Sequence, residues 1–158
     1  TKSLSISEKK LTLQTKKSTT LTLERNPFSA TEKITWTSSN TKVATVNSKG
    51  KVTAKKAGTA TITARTSNGK KVTCKVTVKA PKVTLKKTSA NVKVGNTTAI
   101  QIKSTYPAND EVKSYKSSNK KVATVNKNGK VTGVKKGKAT ITVTMKSGAK
   151  ATFKVTVK

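Results

Sequence analysis

Histidine is absent from this chain of 158 residues, and cysteine occurs once, as Cys74. Five carboxylates stand against 35 lysines and arginines, and aromatics make up 3% of the residues. Each scarcity removes a class of function. Without histidine there is no Ser/His or Cys/His pair and no HExxH metal helix. One cysteine cannot build a disulfide framework or a thiolate cluster, and Cys74 reads as a small core hydrophobe. The glycines come singly, so none forms a phosphate cradle. Glu8, Glu24 and Glu32 are scattered among lysines, while Asp110 and Glu111 are neighbours in a loop after Pro107 whose extended chain points them apart. They read as solvated carboxylates. Calcium wants about six to eight oxygen ligands, several of them carboxylate, so no metal site is assigned in a field of +30. The chain reads as non-enzymatic and cofactor-free.

No apolar run approaches the roughly 18 residues that span a bilayer, which argues against membrane insertion. Lys9-Lys10 and Lys16-Lys17 interrupt any signal-peptide core. Low cysteine content suits both a cytosolic protein and a cysteine-avoiding surface protein, so it leaves the compartment open.

What the chain does contain is a repeat. Ser38-Ser39-Asn40-Thr41-Lys42-Val43-Ala44-Thr45-Val46-Asn47 returns as Ser117-Ser118-Asn119-Lys120-Lys121-Val122-Ala123-Thr124-Val125-Asn126, an offset of 79 residues. From residue 36 to 79 the copies agree at 27 of 44 positions. Cys74 faces Phe153 at this offset, and Trp36 faces Tyr115. Two domains are expected, 1–79 and 80–158, with net charges of +14 and +16. Pro81 stiffens the short join, which predicts a semi-rigid pair. Both ends fall at repeat boundaries, as expected of a segment of a longer protein.

Period-two alternation marks the strands. Val72, Cys74, Val76 and Val78 share one face, as do Ala151, Phe153, Val155 and Val157. Ala60, Ile62 and Ala64 alternate with threonines, and so do Ala139, Ile141, Val143 and Met145. Turns are expected at Lys49-Gly50, Asn68-Gly69, Asn128-Gly129 and Ser147-Gly148. Runs near residues 4–6, 11–15, 20–24, 33–37, 42–46, 51–54, 59–65 and 71–79 give seven or eight short strands per copy. That pattern predicts an all-β protein of two tandem immunoglobulin-like β-sandwich domains.

In order, Trp36-Thr37-Ser38-Ser39-Asn40, Val43-Ala44-Thr45-Val46, Gly50-Lys51-Val52-Thr53-Ala54 and Ala57-Gly58-Thr59-Ala60-Thr61-Ile62-Thr63 resemble the bacterial Ig-like domain group 2 (Big2) pattern. The second copy repeats it from Tyr115 to Thr142, departing from it with Tyr115 in place of Trp and with Val112 one position out of register. The resemblance implies an extracellular module, on the cell surface or secreted, used as spacer, display or adhesion domain in intimin- and invasin-type proteins, phage proteins and polysaccharide-degrading enzymes. It implies neighbouring domains of a larger surface protein and carries over no catalytic residue.

Two sets of residues remain as candidate sites. Lys55, Lys56, Lys135 and Lys136 precede Gly58 and Gly137, and Lys49, Lys51, Lys127 and Lys130 flank the neighbouring hairpin. If clustered, they form a repeated basic patch for an anionic polysaccharide or cell-wall polymer; otherwise lysine serves solubility and guards sheet edges. Phe28 and Tyr106, beside Pro27 and Pro107, are candidate sugar-stacking residues. The interleaving of aromatic and basic residues expected of a single-strand nucleic-acid binder is missing. The reading is thus a monomeric, highly basic spacer or adhesion module, with the accessory part of a secreted glycan-active enzyme or a bare stalk as alternatives.

Overall fold

The computed structural model describes residues 2–26 and 31–158, and these form strands and turns without a helix. The chain divides into two compact units, Thr1–Ala80 and Pro81–Lys158. The strands of the first unit are β1 (Ser3–Ile6), β2 (Lys10–Gln14), β3 (Ser18–Thr20), β4 (Leu23–Asn26), β5 (Ile34–Ser38), β6 (Ala44–Val46), β7 (Lys51–Ala54), β8 (Gly58–Thr66) and β9 (Lys71–Lys79). The second unit repeats them as β10 (Lys82–Leu85), β11 (Ser89–Val92), β12 (Thr97–Ala99), β13 (Ile102–Tyr106), β14 (Val112–Ser117), β15 (Ala123–Val125), β16 (Lys130–Gly133), β17 (Gly137–Met145) and β18 (Lys150–Val157).

One layer of each unit is a four-stranded sheet, in the order β2-β9-β8-β5 and β11-β18-β17-β14. Its first strand runs parallel to the last strand of the unit, and the other pairs are antiparallel. The remaining strands form β3-β7-β6 with β1-β4, and β12-β16-β15 with β10-β13. The expected run at 20–24 is split into β3 and β4 because the chain changes partner there. Leu21 donates its N–H to the Gly50 carbonyl (2.9 Å), while the Thr22 carbonyl accepts from Ser7 N–H (3.0 Å).

The core lies where the alternation put it. Ala60, Ile62, Cys74, Val76 and Val78 from the four-stranded sheet meet Leu21, Val43, Ala44, Val52 and Ala54 from the opposing strands. The second unit uses Ala139, Ile141, Phe153, Val155 and Val157 against Ile100, Val122, Ala123 and Val131. Cys74 is fully buried, and burial, with Glu8 adding to it, pushes its thiol pKa up, as suits an inert core side chain.

The displaced Val112 has a definite structural form. In the first unit Ile34 to Ser38 pair without interruption with Thr66 to Ile62. In the second, Val112 faces Met145 and Ser114 faces Thr144, so Lys113 is the extra residue of a β-bulge. The bulge leaves Lys113 exposed and returns Val112 to the core side.

Candidate functional site

The repeated Ser-Ser-Asn signature is internal wiring. The Ser38 hydroxyl donates to the Ala44 carbonyl (2.6 Å) and accepts from Asn40 N–H (3.3 Å). Ser39 Oγ accepts from Thr61 N–H (2.8 Å), and Asn40 Oδ1 from Lys42 N–H (3.1 Å). Ser117, Ser118 and Asn119 make the same bonds to Ala123, Thr140 and Lys121. These short polar side chains satisfy backbone groups that a tight corner leaves unpaired.

Trp36 and Tyr115 lie half-buried against their cores, each resting on a hairpin glycine. A Cβ on Gly50 would come within 2.8 Å of the Trp36 ring, and one on Gly129 within 2.8 Å of the Tyr115 hydroxyl. Both glycines also hold φ near +77° and +76°, where a side chain is strained. The aromatic and the glycine are thus one packing unit, and burial raises the Tyr115 pKa. Tyr106 ends β13 half-buried, opposite Lys82 in register. Phe28 lies outside the described residues.

All eight candidate lysines are exposed, in two groups per unit at the two ends of β7 and of β16. Lys49 and Lys51 flank the start of β7, whereas Lys55 and Lys56 follow its end. Lys51 and Lys55 are four positions apart, about 13 Å along an extended chain. Lys127 and Lys130 are likewise parted from Lys135 and Lys136 by β16. The equivalence between copies is also looser than the shared dilysine suggests. Lys55 N–H and Val134 N–H donate to the matching carbonyls of Val43 and Val122, so Lys55 corresponds to Val134 and Lys56 to Lys135.

The carboxylates of the second unit are engaged with its last hairpin. Asp110 accepts from Ser147 through both its backbone N–H (3.1 Å at Oδ1) and its hydroxyl. Glu111 pairs with Lys146, which holds the Glu111 carboxyl below its usual range and the Lys146 ammonium above its own. In the first unit Glu32, the counterpart of Glu111, accepts from Asn68 Nδ2 (3.2 Å). This tie between an acidic loop and a hairpin was not anticipated; the Glu pair at the repeat offset was its one sequence signal. Among the described residues no group of three or more His, Cys, Asp or Glu could hold a metal ion.

The family model for the bacterial Ig-like domain (group 2) matches residues 1–76 and 79–156. The chain belongs to that family. As Big2 modules, the two units share the signature just described. The chain is 48% identical over 68 residues to the lacto-N-biosidase of Bifidobacterium bifidum, which covers 42% of the chain and 6% of that protein. It is 49% identical over 71 residues to the kappa-carrageenase of Pseudoalteromonas carrageenovora, covering 44% of the chain and 18% of the enzyme. It spans 6% to 18% of the length of the curated relatives it matches. The I9–I11 tandem of titin matches over 99% of the chain and 66% of that structure with a TM-score of 0.60 at 11% identity, which supports the Big2 units as Ig-like folds.

Proposed function

We propose that the chain is a pair of non-catalytic modules of a surface-exposed or secreted protein, which hold that protein against acidic polysaccharides by multivalent electrostatics. The observation that carries this reading is the charge: 35 cationic residues against five carboxylates, spread over both units. A field of that size gathers polyanions at long range, and its attraction is screened over about 8 Å at physiological salt. Relatives named for enzymes that act on glycans support a place beside such chemistry.

The test is retention on immobilised dextran sulfate with uncharged dextran as control. Retention at low ionic strength that falls steeply with added salt is the expected result. Equal behaviour on the two matrices overturns the proposal. Retention on both that ignores salt and disappears with Tyr106→Ala would instead favour an accessory sugar-stacking module.

A further inference from the structure

The turn lysines are not the only basic feature of the fold, because the outer face of each four-stranded sheet carries a second set. On β9, Lys71, Thr73, Lys75 and Thr77 point away from the core, and on β18 Lys150, Thr152, Lys154 and Thr156 do the same, 79 residues on. Registry places Thr61 and Thr63 beside Lys75 and Thr73, and Thr140 and Thr142 beside Lys154 and Thr152. Lys10 on β2 and Lys138 on β17 add a further cation to each face. None of the eight strands that build the two sheets contains an Asp or Glu.

Edge protection does not account for Lys71, Lys75, Lys150 and Lys154. β9 lies between β2 and β8, and β18 between β11 and β17, so neither strand is an edge that needs guarding. Lysine is also disfavoured in strands relative to the threonines around it. In the first unit the arrangement opposes stability, because Lys10 sits directly beside Lys75 and Arg65 directly beside Lys71. Like charges in opposed positions destabilise a sheet unless a counter-charge covers them. In the second unit a shallow depression of about 420 Å³ lies on this face, bordered by Lys138, Lys154, Thr140, Thr156, Ser89 and Asn91. It offers two ammonium groups beside three hydroxyls and an amide, the donors that a sulfate or carboxylate on a sugar ring accepts from.

We infer that the outer face of the four-stranded sheet in each unit is the docking surface, and that its ligand is a linear polysaccharide bearing sulfate or carboxylate groups. Lys71 and Lys75, and Lys150 and Lys154, recur every four residues, about 13 Å along the strand. A strand-aligned polymer therefore meets cations at regular intervals with threonine hydroxyls between them. The inference rests on the polyanion reading above and names its surface.

Two full-chain variants separate the two claims. One replaces Lys10, Lys71, Lys75, Lys138, Lys150 and Lys154 with Gln; the other replaces Lys49, Lys51, Lys55, Lys127, Lys130 and Lys135. Each removes six charges, all at exposed positions. Dextran sulfate is titrated against each at several salt concentrations, with far-UV circular dichroism to confirm folding. The face variant should lose about tenfold or more in affinity with a shallower log–log salt slope, since fewer counterions are exchanged on binding, and the turn variant should stay within about threefold of wild type. Equal losses, or a larger loss in the turn variant, overturn the face while leaving the general polyanion reading intact. No binding by the wild-type chain overturns both. Polyphosphate bound by the same face more tightly than dextran sulfate overturns the choice of a polysaccharide. As a check independent of the multiple variants, Lys10→Gln alone should raise the first unit's unfolding midpoint, and dextran sulfate should raise it in wild type but less in Lys10→Gln. An unchanged midpoint in both tests overturns the role given to the opposed charges.

Discussion

The two units share a topology but fill it differently, and the clearest contrast lies at one point of the core. In the first, Cys74 occupies the inward position opposite Ile62, with Leu11 diagonal to it beside Val76. In the second, Phe153 stands opposite Ile141, with Ala90 diagonal to it beside Val155. A large and a small side chain have changed places between neighbouring strands. The pair holds its combined volume while each member changes, which is the swap that a close-packed interior tolerates best.

The largest test of this contrast is truncation. Phe153→Ala should cost the second unit about 3–5 kcal/mol, while Cys74→Ala should cost the first about 1–2 kcal/mol. Urea unfolding separates them, because the single tryptophan, Trp36, reports the first unit and both tyrosines lie in the second. Cys74→Phe alone should overpack the first core by about 1–3 kcal/mol. Adding Leu11→Ala should recover much of that loss, and a double-mutant cycle with no coupling would disprove the exchange.

Next in size are the hairpin glycines. Gly50→Ala and Gly129→Ala should each cost about 2–3 kcal/mol from the positive φ and the contact with the aromatic ring. The first should cost more, since its Cβ would also meet the Leu21 carbonyl at 2.6 Å, whereas the Gly129 Cβ meets the movable end of Tyr115. Chemical denaturation of the two variants gives the order.

A smaller difference sits at the turn before β3. Lys16 holds φ at 68°, and its counterpart Gly95 holds 82°. Lys16→Gly should therefore be neutral or stabilising by up to about 1 kcal/mol, and Gly95→Lys destabilising by about 1 kcal/mol, as thermal melts of the pair would show.

The smallest effect is ionic. Glu111 pairs with Lys146, and at the position matching Lys146 the first unit has Ser67. Glu111 has a lowered folded pKa, so its contribution holds above its unfolded pKa and is lost as pH falls through the folded one. Lys146 has a raised one, so its contribution holds below the unfolded pKa and is lost as pH rises through the folded one. An NMR titration should find the Glu111 carboxyl midpoint below the usual range, and Lys146→Gln should return it there.

Much of the fold could be read directly from the residues. Alternation assigned the inward set on β8, β9, β17 and β18 because burial on one face leaves period two in the chain itself. The split at Leu21–Thr22 was hidden, since a change of hydrogen-bond partner leaves side-chain alternation intact. The bulge at Lys113 showed only as a displaced valine. The site was less legible than the fold. Adjacent lysines such as Lys55-Lys56 draw the eye in a linear sequence, whereas lysines that strand pairing brings together are far apart in it. Lysines on neighbouring strands, such as Lys138 and Lys154, are seen to share a surface only once registry is known.

The parallel pairing of β2 with β9 and of β11 with β18 has a mechanical consequence. Tension that enters a unit at its amino-terminal end and leaves at its carboxy-terminal end pulls these neighbouring strands in opposite directions along their length. Their hydrogen bonds are then loaded together in shear rather than opened one after another. A module tethered at both ends would resist stretching through this clamp, and the second unit, whose clamp strand has four residues against five in the first, would yield at the lower force.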